Sequence, residues 1–266
     1  MSIDAGELWQ FYDSALGHTV RRLIGMRLRA RWRHIEGETL FGLGYASPFM
    51  GSFRGEARRI GSLMPAQQGA VVWPHAGDSM TVLVEPEHLP LPDGSVDRLI
   101  VVHFIEHADR ADAAMAEIWR VLAAEGTALF IVPNRSGIWA RVDSQPFGQG
   151  RPYTRRQMER LLRNARLTPI DFAGALQIPP VSRKVVLKSA PAIERIGARI
   201  MPGFAGVMLL EVRKELVRPI KSGTPAEALS ELVRLPGAKT APTGPSRGTR
   251  DDGIRTAARE TDNECG

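Results

Sequence analysis

Leu8, Phe11, Tyr12, Ala15, Leu16, Leu23 and Met26 recur at intervals of three and four residues, and this spacing predicts an amphipathic helix over residues 7–34. Its second half, Arg21 to Arg33, interleaves six Arg with Leu, Ile, Met and Trp32. The pattern then shortens. Thr39–Phe41 predicts a first strand, followed by Gly42-Leu43-Gly44 and a short helix over 49–58. Residues 59–63 predict a second strand, and Thr81–Val84 a third. Ala70–Trp73 reads as an edge strand or a strand-like loop between Gly69 and Pro74. The β-branched run over 98–104 is the best strand in the chain. Met115, Ile118, Trp119 and Leu122 share one face of a helix over 109–124, with Gly126 as its stop. Ala128–Val132 predicts the next strand, ended by Pro133-Asn134.

Farther along, Thr154 and Gln157 form a capping box opening a helix to about residue 166. Residues 168–174 predict a strand, 185–199 a helix and 207–214 a late strand. Strands alternating with helices predict an α/β fold: a Rossmann-like, doubly wound, mostly parallel sheet with a late antiparallel strand. The organisation expected is an N-terminal helical segment (1–34), a central domain (35–218) and a disordered tail (219–266) rich in Gly, Pro, Ser, Thr and charge, with a short helix at 226–233.

Composition narrows the class without naming a chemistry. Hydrophobic residues make up 43% and charged residues 24% of 266, as in soluble globular proteins. The single cysteine, Cys265, excludes a disulfide framework and a Cys-rich zinc site. Apolar runs fall far short of a membrane span, and the acidic opening lacks the apolar core of a secretory leader, so a cytoplasmic location is expected. The net charge is +6, and only 5 of the 35 basic residues are Lys. Arg dominance suits carboxylate or phosphate contacts. For Arg21–Arg33 a surface helix packing its apolar side on its own domain is favoured over contact with an anionic membrane or nucleic acid, and for the Arg-rich helix at 155–166 a solvated face is favoured over an anionic substrate or RNA.

Candidate chemistry lies at strand ends. Glycines after a first strand serve either the approach of a ligand or close packing. More specific is an ordered series: Leu89-Pro90-Leu91-Pro92-Asp93-Gly94-Ser95-Val96-Asp97, a strand, Glu106-His107, a helix bearing Glu117-Ile118-Trp119-Arg120-Val121-Leu122, Gly126, a strand, and Pro133-Asn134. This series resembles the class I S-adenosylmethionine-dependent methyltransferases of the type 11 kind. The likeness is close over 81–134 and looser over 35–215.

The resemblance implies a cofactor, S-adenosylmethionine, and a small-molecule acceptor. It puts Gly42, Gly44, Tyr45 and Ala46 at the methionine and ribose, Glu85 and Pro86 at the adenine, and His103 beside the sulfonium and the acceptor. His103 is the candidate base, since an imidazole titrates near the working pH; packing at a strand end is its other reading. Two departures stand out: Gly42 occupies the place of an acid usual in the family's first loop, and no acid follows the second strand near Leu63-Met64-Pro65. They keep a second reading open, a catalytically inactive binding or regulatory module on the same fold. Asp143–Tyr153 reads as a substrate lid or a plain connection. Glu106-His107 has metal-ligand residue types but no third ligand at a fixed spacing, so no metal is expected.

Overall fold

Seven strands form one twisted sheet in the order β3-β2-β1-β4-β5-β7-β6. They are β1 (Thr39–Gly44), β2 (Arg59–Pro65), β3 (Thr81–Val84), β4 (Val96–Val102), β5 (Leu122–Pro133), β6 (Leu167–Ala175) and β7 (Val207–Lys214). Pairing is parallel from β3 through β5, and β7 runs antiparallel between β5 and β6. This is the expected mostly parallel sheet with a late antiparallel strand, and that strand enters between β5 and β6. The computed structural model describes residues 3–215. The tail expected over 219–266, with its helix at 226–233, lies outside the described residues.

Period-two alternation explains why the sheet is covered on both faces. Ile100 and Val102 of β4, with Leu129 and Ile131 of β5, join a core built with α1 (Ala5–Asp13), α2 (Ala15–Arg31), α3 (Ser47–Met50), Trp139 and Phe147. Leu99 and Val101, with Ala128 and Phe130, face α4 (Ala111–Val121) and α5 (Arg155–Asn164). The sixth helix, α6 (Lys184–Ile200), connects β6 to β7.

Four predicted elements change. The single helix over 7–34 is two helices, broken at Ser14, whose backbone is extended. Its hydroxyl donates to the Phe11 carbonyl and accepts from Gly17 N–H, closing one helix and capping the next. The apolar stripe continues in register through the break, so periodicity hides it. The helix over 49–58 shrinks to α3 and a single 3₁₀ turn at Gly51–Phe53. Residues 70–73 form no strand.

Finally, α4 runs directly into β5, and Gly126 lies inside that strand instead of stopping the helix. Pairing of Leu122 with Val96 captures residues that local propensity would leave helical, and the register shifts between Val96 and Arg98. A Cβ at Gly126 would crowd the Val96 carbonyl and Ala123. The predicted capping box is present in α5.

Candidate functional site

The strand order reverses between β1 and β4, and in open α/β sheets ligands bind outside the carboxyl ends of the strands at such a point. Tyr45 follows β1 there and His103 follows β4. The Tyr45 N–H donates to the Val102 carbonyl at 2.9 Å, drawing the two strand ends together. Gly44 makes the approach feasible: its φ is +78°, and a Cβ would overlap the Val102 oxygen and Phe104. Gly42 is tight as well, because a Cβ there would meet Met50 and Ala46.

His103 is fully buried with φ +50°, a left-handed conformation uncommon outside glycine. Its Nε2 is hydrogen-bonded to the Tyr12 hydroxyl at 2.9 Å. Its Nδ1 lies 3.6 Å from Oε1 of Glu106, a carboxylate equally buried, and neither Glu106 oxygen has a hydrogen-bond partner among the described residues. Phe147 packs on the imidazole with ring centroids 4.5 Å apart, and Gln68 donates its amide N–H to the His103 carbonyl at 3.0 Å. Burial first, then the neighbouring Tyr45 and Glu106, pushes the Tyr12 phenol well above its ordinary range. Burial raises Tyr45 to about 12, opposed by its hydrogen bond with Ser47.

This assembly separates two cavities. One, of about 170 Å³, lies over the ends of β2, β3 and β4; Gln68, Glu85, Pro86, His88, His103 and Phe104 are among its walls. The other, of about 210 Å³, lies beside β1 and is lined by Trp9, Tyr12, Tyr45, Ser47, Pro48 and Trp73 among others. Each is smaller than the ~300 Å³ at the low end of small-molecule sites. Of the residues singled out from the sequence, Glu85, Pro86 and His103 share the first cavity, and Tyr45 lines the second. Gly42, Gly44 and Ala46 line neither and pack against their neighbours. The single crevice expected from the sequence is thus partitioned by Tyr12, His103 and Gln68.

Sequence reasoning assigned Tyr12 to an apolar stripe and singled out neither Gln68 nor Phe147. A hydroxyl within an otherwise apolar face was the one available signal for Tyr12; nothing local marks Gln68. Phe147 belongs to the segment Asp143–Tyr153, which is packed down on His103 and Trp139. Among the described residues, no group of three His, Cys, Asp or Glu side chains is placed to hold a metal ion.

Residues 65–130, from the end of β2 into β5, match the family model described as a methyltransferase domain. The fold is that of the class I methyltransferases. A chain of the complex between the Haloferax volcanii Trm112 methyltransferase activator and a methyltransferase superposes with a TM-score of 0.57 at 18% identity, covering 81% of this chain and 100% of the other. A SAM-dependent methyltransferase from Archaeoglobus fulgidus gives 0.55 at 15%, covering 79% and 100%. Another from Thermotoga maritima gives 0.53 at 17%, covering 79% and 95%. No curated protein matches in sequence. In this chain the connections from β2 to β3 and from β3 to β4 carry no α-helix, and α1 and α2 cover the sheet face beside β1.

The donor set fits S-adenosylmethionine on one side. Glu85 and Glu87 bring acceptors to the first cavity, suited to hydroxyl and amino donors, and the buried Gln68 Oε1 has no hydrogen-bond partner among the described residues. On the glycine side the strand ends are closed.

Proposed function

We propose that this protein is a methyltransferase that uses S-adenosylmethionine to methylate a small-molecule acceptor in the cytoplasm. The observation that carries the reading is the meeting of Glu85, Pro86 and His103 on one cavity at the switch-point end of a methyltransferase sheet. When bound, S-adenosylmethionine supplies a methyl group already activated by its sulfonium. What remains for the protein is alignment and exclusion of water.

In this reading Glu85 and Pro86 hold the adenine end, and the closed strand ends at Gly42 and Gly44 must part for the methionine end to reach them with Tyr45 and Ala46. His103 accepts at Nε2, once the Tyr12 hydroxyl has moved off that atom, the proton that an oxygen or nitrogen acceptor gives up. Glu106, 3.6 Å from Nδ1, stabilises the resulting imidazolium. Full burial of His103 means that α1 and Gln68 must shift for an acceptor to reach it.

The test is isothermal titration of the full chain with S-adenosylmethionine and S-adenosylhomocysteine. Saturable heat with a Kd on the order of 1 µM to 1 mM is expected. The partitioned crevice favours a second reading, an inactive module on the same fold. Absence of heat at millimolar cofactor supports that reading and removes the first.

A further inference from the structure

The connection from β6 to β7 carries α6 and a following 3₁₀ turn (Pro202–Phe204), and its outer face bears a run of exposed apolar residues. Val185 is 76% exposed, Ile196 59%, Ile200 69% and Phe204 56%. Met201 is also exposed. Val185, Ala192, Ile196 and Ile200, spaced by seven, four and four residues, lie on one helical face, which Met201 and Phe204 extend past the last turn. The opposite face holds the helix to the protein: Ala190 and Glu194 are buried, and Leu187 and Ile193 pack into the core beside α2.

The charges are as one-sided as the apolar residues. Over residues 181–206 the chain has Arg183, Lys184, Lys188, Arg195 and Arg199, all exposed, against a single acid. That acid, Glu194, is turned inward, accepting from the Leu176 and Gln177 backbone N–H groups with Arg27 at 3.8 Å. An exposed apolar stripe flanked only by cations has the composition of a helix that lies in the plane of an anionic membrane surface.

We propose that α6 and the Pro202–Phe204 turn dock this protein onto an anionic lipid bilayer. Ile196, Ile200, Met201 and Phe204 enter the headgroup boundary, and Lys184, Lys188, Arg195 and Arg199 face anionic headgroups. Charge decides among the occupants. A second copy joined face to face would oppose five cations with five cations. Residues 216–266 bear eight Lys or Arg and seven Asp or Glu, and so lack the excess of acid that would complement this face. No helix among the described residues is long and apolar enough to cross a membrane, so the contact is peripheral.

The test is co-sedimentation of the full chain with vesicles of phosphatidylglycerol and phosphatidylcholine, and with phosphatidylcholine alone, beside analytical ultracentrifugation without lipid. Binding to the anionic vesicles is expected, weakened by salt. The exposed double variant Ile196→Glu, Ile200→Glu should abolish it while the far-ultraviolet dichroism and melting temperature stay unchanged. Lys188→Ala, Arg195→Ala and Arg199→Ala together should weaken it on the order of a hundredfold, from roughly fivefold per cation. The proposal is overturned if the protein stays in the supernatant with anionic vesicles at low salt. Sedimentation unaffected by either variant also overturns it, by locating the contact on another basic face. Self-association that the double variant dissolves, without vesicle binding, overturns it in favour of a second copy.

Discussion

Tyr12 and His103, 91 residues apart in the chain, are joined by a buried hydrogen bond of 2.9 Å between the phenol oxygen and Nε2. The bond ties the N-terminal helix to the residue that follows the central strand, and it forms part of the wall between the two cavities. Tyr12→Phe should cost about 1–3 kcal/mol, because the ring is kept but a buried imidazole nitrogen loses its partner. Urea denaturation near neutral pH measures this.

The same variant carries a signature in alkali. The native Tyr12 phenol is held well above its ordinary range, chiefly by burial, so the folded state keeps a proton that the unfolded chain gives up. The stability associated with Tyr12 is therefore fully present below about pH 10 and lost as the pH rises above it toward the raised native value. Denaturation curves collected from about pH 9 to about pH 11 should fall less steeply for Tyr12→Phe than for the natural protein.

Glu85 is exposed on the rim of the first cavity, so its loss separates ligand binding from folding. Glu85→Ala should leave the melting temperature unchanged and weaken S-adenosylhomocysteine binding about tenfold, the order expected for one charge-assisted hydrogen bond. Calorimetric titration of both proteins gives the ratio; equal affinities would remove Glu85 from the cofactor site.

Gly44→Ala places a methyl group on the Val102 carbonyl at a φ of +78°. Left-handed strain of ~1–2 kcal/mol and overpacking of ~1–3 kcal/mol should together lower stability by about 2–5 kcal/mol. Thermal unfolding reports it, and a melting temperature equal to that of the natural protein would show that the strand ends can part.

Glu194 accepts from the backbone N–H groups of Leu176 and Gln177 at 3.1 and 2.7 Å, where the chain leaves β6. Glu194→Ala leaves both donors without their acceptor and should cost about 2–4 kcal/mol. Burial raises the Glu194 carboxyl, against the lowering effect of these bonds and of Arg27. Its proton-linked stability is thus greatest below the ordinary carboxylate range and declines as pH rises through the native value; the alanine variant should lose that slope in denaturation measured across the acid range.

Much of the architecture was legible because it rests on local periodicity. The run over 98–104, the capping box at Thr154 and Gln157, and the late strand at 207–214 each announce themselves within a few residues. The break at Ser14 was hidden because the stripe of α1 and α2 stays in register across it. The entry of β5 at Leu122 was hidden because pairing with Val96 outweighs the helical preference of Ala123 and Ala124. For the site, the family resemblance pointed to Glu85, Pro86 and His103, but Tyr12, Gln68 and Phe147, which surround His103, come from elements far away in the chain.

The sequence by itself determined the alternation of strands and helices, the presence of a late strand at 207–214 and the chemical types at the strand ends. Those properties follow from side-chain period and turn chemistry, which act over neighbouring residues. Only the tertiary structure decided that Tyr12, Gln68, Glu106 and Phe147 surround one imidazole, that Gly44 closes against β4, and that α6 turns its acid inward and its apolar stripe outward. Each of these depends on which surfaces meet once the helices fold back over the sheet, and no local pattern encodes that meeting.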